Sequence, residues 1–199
     1  MMGLMNYLEI NSAIVVGHSM GGYIAGCMAA SYPGHVSGLA ILDKSAAGPE
    51  KENDAPLHEL NILDPVTGNW PLPSASLSES QAVIRRDMES KFRYQYSMNS
   101  LTETEAGPGM MFSAQAITAN IAYYSDWYPF LRSLQCPVPL IRAKGGGAVS
   151  DADFEKMKSA IPNCMAREMS DPDRYVHLAD TPVVYGRFDG FRETAAGKK

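Results

Sequence analysis

Apolar positions fall into two kinds of run along this chain. Ala13–Val16 (AIVV), Val36–Leu42 (VSGLAIL) and Cys136–Ala143 (CPVPLIRA) are short, apolar and largely free of polar alternation. Runs of this kind predict strands covered on both faces, as in a parallel sheet. Met165–Met169 reads as a weaker fourth strand. Elsewhere apolar residues recur at helical spacing. Met1, Leu4, Met5 and Leu8 predict a helix over residues 1–9, and Ile24, Cys27 and Met28 line one face of a helix over Gly21–Ser31 that Tyr32-Pro33-Gly34 stops. Ser80–Gln95 and Met111–Tyr124 read as helices, as do Asp151–Ile161, with Ser150 as its N-cap, and Pro182–Phe191.

Strands alternating with helices predict an α/β fold with about four parallel strands and right-handed crossovers. One connection breaks the rhythm. Residues 50–130 are too long for a plain link, and Pro49, Pro56, Pro65, Pro71 and Pro73 crowd a stretch with few long apolar runs. This segment is expected to form a helical lid inserted into a core made of residues 1–49 and 131–199.

Composition narrows the classes. With 199 residues and 45% hydrophobic content the chain can bury a core. A net charge of −5, with no basic run longer than a pair such as the terminal Lys198-Lys199, argues against nucleic acid as a partner. No apolar run reaches the ~18 residues of a membrane span. Cys27, Cys136 and Cys164 are odd in number and far apart, which reads as free thiols in a reducing compartment. MMGLMNYLEI lacks the basic and long apolar regions of a secretion signal. A cytoplasmic protein is expected, without metal or organic cofactor.

The sharpest chemical signal is G-x-S-x-G at Gly17, Ser19 and Gly21, placed where the first strand hands over to a helix. A turn that tight forces its apex residue to positive φ, needs small neighbours and lifts the serine hydroxyl clear of the sheet. The backbone N–H of Met20, in the first helical turn, then points at a developing oxyanion and gains from the helix dipole.

GHSMGGYIAGCMAASYP resembles the nucleophile elbow and following helix of the α/β-hydrolase superfamily. LAILDKSAAGP is similar to that family's sixth strand and its exit. CPVPLIRAKGG is similar to the seventh, and IPNCMAREMSDPDRYVHLAD to the eighth and the loop beyond. The resemblance implies Ser19 as nucleophile, Met20 N–H as one oxyanion donor, a histidine after the last strand and an acid after the sixth or seventh. It also implies carboxylic esters or lactones of apolar character as substrates, hydrolysed through an acyl-enzyme.

The chain departs from the family pattern in three places. Only sixteen residues precede Gly17, so the early strands and the loop supplying a second oxyanion donor are not in evidence. The chain reads as the C-terminal half of the fold: a fragment, or a member completed by a partner. Its first strand would then lie at a sheet edge, where self-association is expected. The register of DRYVHL puts Arg174 in the usual histidine slot and His177 in the second position, and an arginine cannot act as base. His177 remains the best candidate base. The slot where relatives carry an acid after the seventh strand holds Gly147. Asp43 ranks first as the acid and Asp151 second, with Asp153 close by.

Substrate contacts are assigned to Met20, His18 and Trp127. His35 and His58 read as surface or lid residues. The competing reading is a catalytically impaired hydrolase-like binding protein. Hydrolysis of activated aryl esters is expected to be slow, and Arg174→His should raise turnover, since it restores a base in the family's slot. Initial rates on an aryl ester check this; an unchanged rate means that the register was misread.

Overall fold

The computed structural model describes residues 1–49, 54–56, 59, 66–88, 90–145, 148–170, 175–179, 191 and 195. The chain opens with α1 (Met2–Tyr7), β1 (Ala13–His18), α2 (Met20–Ser31), a 3-10 turn (Pro33–His35) and β2 (Val36–Leu42). Then come α3 (Leu77–Asp87), α4 (Lys91–Met98), β3 (Leu101–Thr104), β4 (Gly107–Met110) and α5 (Ala114–Tyr123). It continues with α6 (Tyr128–Arg132), β5 (Val138–Ala143), α7 (Asp151–Ala160), β6 (Cys164–Met169) and α8 (Val176–Ala179).

Four strands form one parallel sheet in the order β1-β2-β5-β6. The expected α/β class and sequential strand order are observed. Each parallel pair needs a crossover, and helices supply them: α2 between β1 and β2, α7 between β5 and β6. Register aligns the strand ends. His18 pairs with Leu42, Leu42 with Ile141, and Ala143 with Met169. Groups that follow these strands therefore emerge along one edge.

The core lies against the central strands. Leu39, Ile41, Val138 and Leu140 are at most 1% exposed, and they pack in one cluster with Met28 of α2, Leu131 of α6 and Phe154 and Met157 of α7. β1 is an edge strand, with Val16 51% exposed. An open apolar groove of about 290 Å³ runs along it, lined by Leu4, Leu8, Ile10, Ile14 and Val16 among others. One buried cation is held through its terminal nitrogens, while its Nε makes no hydrogen bond. Arg142 of β5, 4% exposed, donates to the Val149 carbonyl (3.0 Å) and ion-pairs with Asp151 (2.5 Å) and Glu168 (2.7 Å). A buried cation persists where it is paired in this way.

The join between β1 and α2 is set by backbone contact. A Cβ added at Gly17 would lie 2.1 Å from the Gly21 carbonyl oxygen and 2.5 Å from Gly22 N. Gly22 is tight as well, 3.1 Å from the Gly17 oxygen, whereas a Cβ at Gly21 would meet nothing within 4 Å. The sequence pattern assigned close approach to Gly17 and Gly21; the structure assigns it to Gly17 and Gly22.

The chain divides into two compact units: Met1–Gly48 with Asp126–Lys199, and Pro49–Ser125. The second has its own small core of Trp70, Ile84 and Met88. It is not all-helical, as the sequence reading had it. Leu101–Thr104 and Gly107–Met110 form an antiparallel hairpin. GPGM reads locally as loop, yet Gly107 takes φ +109 and sits so close to the Ser74 carbonyl that a Cβ would lie 2.1 Å from it. The single helix expected over Ser80–Gln95 is two helices. Met88 is extended (φ −114, ψ 97), and the Ser90 side chain starts α4 by accepting the Arg93 N–H. Ser150 caps α7 as expected, accepting the Asp153 N–H at 3.1 Å. The closing helix expected over 182–191 lies outside the described residues apart from Phe191, as do His58, Gly147 and Arg174.

Two outcomes follow from these contacts. Gly17→Ala should destabilise the chain by more than about 3 kcal/mol, since it forces backbone apart, while Gly21→Ala should be neutral or stabilising by up to about 1 kcal/mol; chemical denaturation of both variants checks this. Tyr128 offers a pH test. Burial, and then its hydrogen bond to Asp153, hold its phenol well above the ordinary value of 10.0. The raised value means that its contribution is complete below about pH 10 and is lost as pH climbs through the folded value. Denaturation midpoints at pH 9 and 11 should therefore differ less in Tyr128→Phe than in the wild type.

Candidate functional site

Ser19 stands between β1 and α2 with φ 52 and ψ −121. The residue after β2, Asp43, is also left-handed, with φ 47. A non-glycine residue there stores roughly 1–3 kcal/mol and persists only where its surroundings over-determine it. The ladder supplies part of that: Ser19 N–H donates to the Leu42 carbonyl (2.9 Å) and Asp43 N–H to the Ile141 carbonyl (2.8 Å). Each residue thus extends the strand pairing by one bond before the chain turns away.

Beyond Ser19 the helix begins at once. The Ser19 carbonyl accepts the N–H of Gly22 (2.9 Å) and, more weakly, of Tyr23 (3.4 Å). Met20 is the first helical residue. Its N–H belongs to the turn where helical amides lack carbonyl partners of their own and carry partial positive charge.

Asp43 is 1% exposed, and its Oδ1 accepts the Ala143 N–H at 3.1 Å. The carboxylate is therefore held against the end of β5. His177 arrives from the far side of β6, in the short α8. Its ring centroid lies 4.9 Å from that of His18, the residue before Ser19. Val176 anchors this segment, packing in one buried cluster with Leu42, Ile141, Ala143 and Met169. Ser19, Asp43 and His177, with His18 and Met20, thus gather at one end of the sheet although 158 residues separate Ser19 from His177. The sequence reading missed Tyr175, whose ring lies 5.3 Å from His18 and 6.2 Å from His177. Its signal was its place two residues before the histidine.

The other candidates lie elsewhere. Asp151 is 88% exposed and paired to Arg142. Asp153 accepts the hydroxyls of Ser45 and Tyr128. Trp127, expected to touch substrate, is fully buried in the core. It rests on α2 at Gly26, where a Cβ would lie 2.5 Å from its ring, and its indole N–H donates to the Ser45 carbonyl at 2.9 Å. A packing role replaces the expected contact. None of the three cysteines is in a disulfide, and burial pushes the Cys164 thiol up to about 11. Among the described residues no group of three or more His, Cys, Asp or Glu is placed to hold a metal ion, and no helix is long and apolar enough to cross a membrane.

A hydroxyl at a strained turn, with a helix start behind it and an imidazole and a buried carboxylate at the same sheet edge, is a set of groups suited to acyl transfer. Known proteins agree on the scaffold. Residues 4–178 match the family described as the alpha/beta hydrolase fold. The sn-1-specific diacylglycerol lipase ABHD11 of Danio rerio is 21% identical over 90% of this chain and 56% of its own length. A putative esterase/lipase of Haemophilus influenzae is 21% identical over 87% of this chain and 58% of its own. The chain thus spans little more than half the length of these curated relatives. Among solved structures, E-2-(acetamidomethylene)succinate hydrolase superposes with a TM-score of 0.72 at 21% identity, covering 96% of this chain and 70% of that one. The chain belongs to the alpha/beta hydrolase family.

Proposed function

We propose that the chain is a serine hydrolase that cleaves carboxylic esters or lactones through an acyl-enzyme. The observation that carries this reading is the left-handed Ser19 at the β1–α2 turn, beside a helix start and at the same sheet edge as Asp43 and His177. Ser19 Oγ attacks the substrate carbonyl as His177 takes its proton. Asp43 orients the imidazole and stabilises its charged form. The tetrahedral oxyanion forms near the Met20 N–H, where the helix dipole lowers its energy. His177 then returns the proton to the leaving alcohol, and water repeats the sequence to release the acid. Two curated relatives carry the words lipase and esterase in their names, which supports the ester class.

A fluorophosphonate probe should label the wild-type chain and leave Ser19→Ala unlabelled, and the same substitution should abolish hydrolysis of short aryl esters. Absence of labelling on folded wild type would leave the binding-protein reading in its place. Asp43→Asn should lower kcat on the order of 10⁴-fold, as removal of the orienting carboxylate does in other serine hydrolases, whereas Asp151→Asn should leave it unchanged. Steady-state kinetics of the two variants separate the acids; a large loss in Asp151→Asn would reverse their assignment.

A further inference from the structure

The strained conformation of Asp43 needs support on both flanks, and the second support comes from an unexpected place. Upstream, the Asp43 N–H is fixed to Ile141. Downstream, Lys44 follows and then Ser45, held from several sides. Its carbonyl accepts the Trp127 indole N–H (2.9 Å), its Oγ accepts the Ala47 N–H (3.0 Å), and its hydroxyl donates to Asp153 Oδ2. The backbone N–H of Trp127 donates to the next carbonyl, that of Ala46, at 3.2 Å.

Asp153 is built to hold still. It sits in the first turn of α7, with its N–H received by the Ser150 cap. Its other oxygen, Oδ1, accepts the hydroxyl of Tyr128, a residue only 2% exposed in the core. Both carboxylate oxygens are therefore engaged by hydroxyls from separate segments: the exit of β2 and the start of α6. A carboxylate fixed by two donors has little freedom left to follow a moving loop. Asp153 sits two residues beyond Asp151, and its acidity suits a helix start. That explains an acid in this turn. It does not explain the two hydroxyls converging on it from segments more than eighty residues apart.

We infer that Asp153 is a positioning residue, which pins Ser45 and so holds Asp43 in the left-handed turn that aims its carboxylate at the sheet edge. The inference rests on the role proposed above for Asp43. Without the pin, Ser45 is left with its bonds to Trp127 and Ala47, its side chain no longer tied to α7, and Asp43 relaxes toward extended backbone as its strain is released. Its carboxylate then leaves the Ala143 N–H.

That last bond allows a test without substrate. Amide hydrogen exchange at Ala143 should accelerate at least about tenfold in Asp153→Ala, to the level seen in Asp43→Ala. Lys144, whose N–H bonds the Met169 carbonyl at 2.9 Å, should keep wild-type protection. Ser45→Ala, which deletes one half-buried hydroxyl, carries the same readout should Asp153→Ala fail to fold. Unchanged exchange at Ala143 in either folded variant overturns the inference. Kinetics on an aryl ester give the second arm. Asp153→Ala should lower kcat about tenfold to a hundredfold with KM unchanged, the scale of a misplaced group, and should lower it no further in an Asp43→Asn background. Equal losses in both backgrounds also overturn it, since Asp153 would then act independently of Asp43. A wild type that neither labels nor turns over refutes the proposed role of Asp43, and the exchange at Ala143 still decides whether Asp153 holds that residue.

Discussion

The contact of Gly17 with the backbone of Gly21 and Gly22 is the constraint on which the site depends. Strand and helix can meet at this distance only if position 17 lacks a side chain. Given that meeting, the residue between them has no ordinary conformation available, and Ser19 takes a positive φ. The hydroxyl and the first helical N–H then leave the sheet at the same point. The strained turn is the outcome of a packing problem: the close approach comes first, and the positive φ of Ser19 follows from it. α2 adds nothing by way of a polar cap, since Ser19 makes no side-chain capping bond. Its stability comes from the face it buries, through Ala25, Met28 and Ala29.

The parallel sheet does the rest of the gathering. Because strands in such a sheet run the same way, whatever follows each of them arrives at one end. The register puts His18 beside Leu42 and Leu42 beside Ile141. Ser19 and Asp43 are the next residues along, so neighbouring strands deliver them side by side. Asp43 is then gripped through Ala143, at the end of the third strand. Arg142 strengthens that strand end. One buried guanidinium collects the carbonyl of Val149, Asp151 at the start of α7 and Glu168 across on β6. It joins β5 and β6 at a point just short of the site, and it uses Asp151 in doing so.

Much of this was legible in the residues, because it rests on local pattern. Apolar runs marked all four strands of the sheet to within a few residues. The glycines around Ser19 announced a strained turn, and Ser150 announced a helix start. What escaped was set by contacts between distant segments. GPGM forms a strand because Ser74 lies against Gly107, and no window around residue 107 contains that fact. Trp127 was read as a substrate contact because aromatic residues within an inserted segment invite that reading; Gly26 and Ser45 claim it for the core instead. The pairing of Asp153 with Ser45 and Tyr128 was hidden for the same reason. Tyr175 reaches His18 through the fold alone, 157 positions along the chain.

The order of the strands has a consequence for synthesis. β2 pairs with β1 through a short local crossover, but its other neighbour, β5, begins at Val138, 96 residues after Leu42. At the usual 5–20 residues per second, the ribosome needs about 5–20 s to deliver it. For that time one side of β2, among the most deeply buried segments of the finished fold, is an open apolar edge on a nascent chain. The segment made meanwhile, Pro49–Ser125, gathers a core of its own. Slow translation downstream of Asp43 would lengthen that interval.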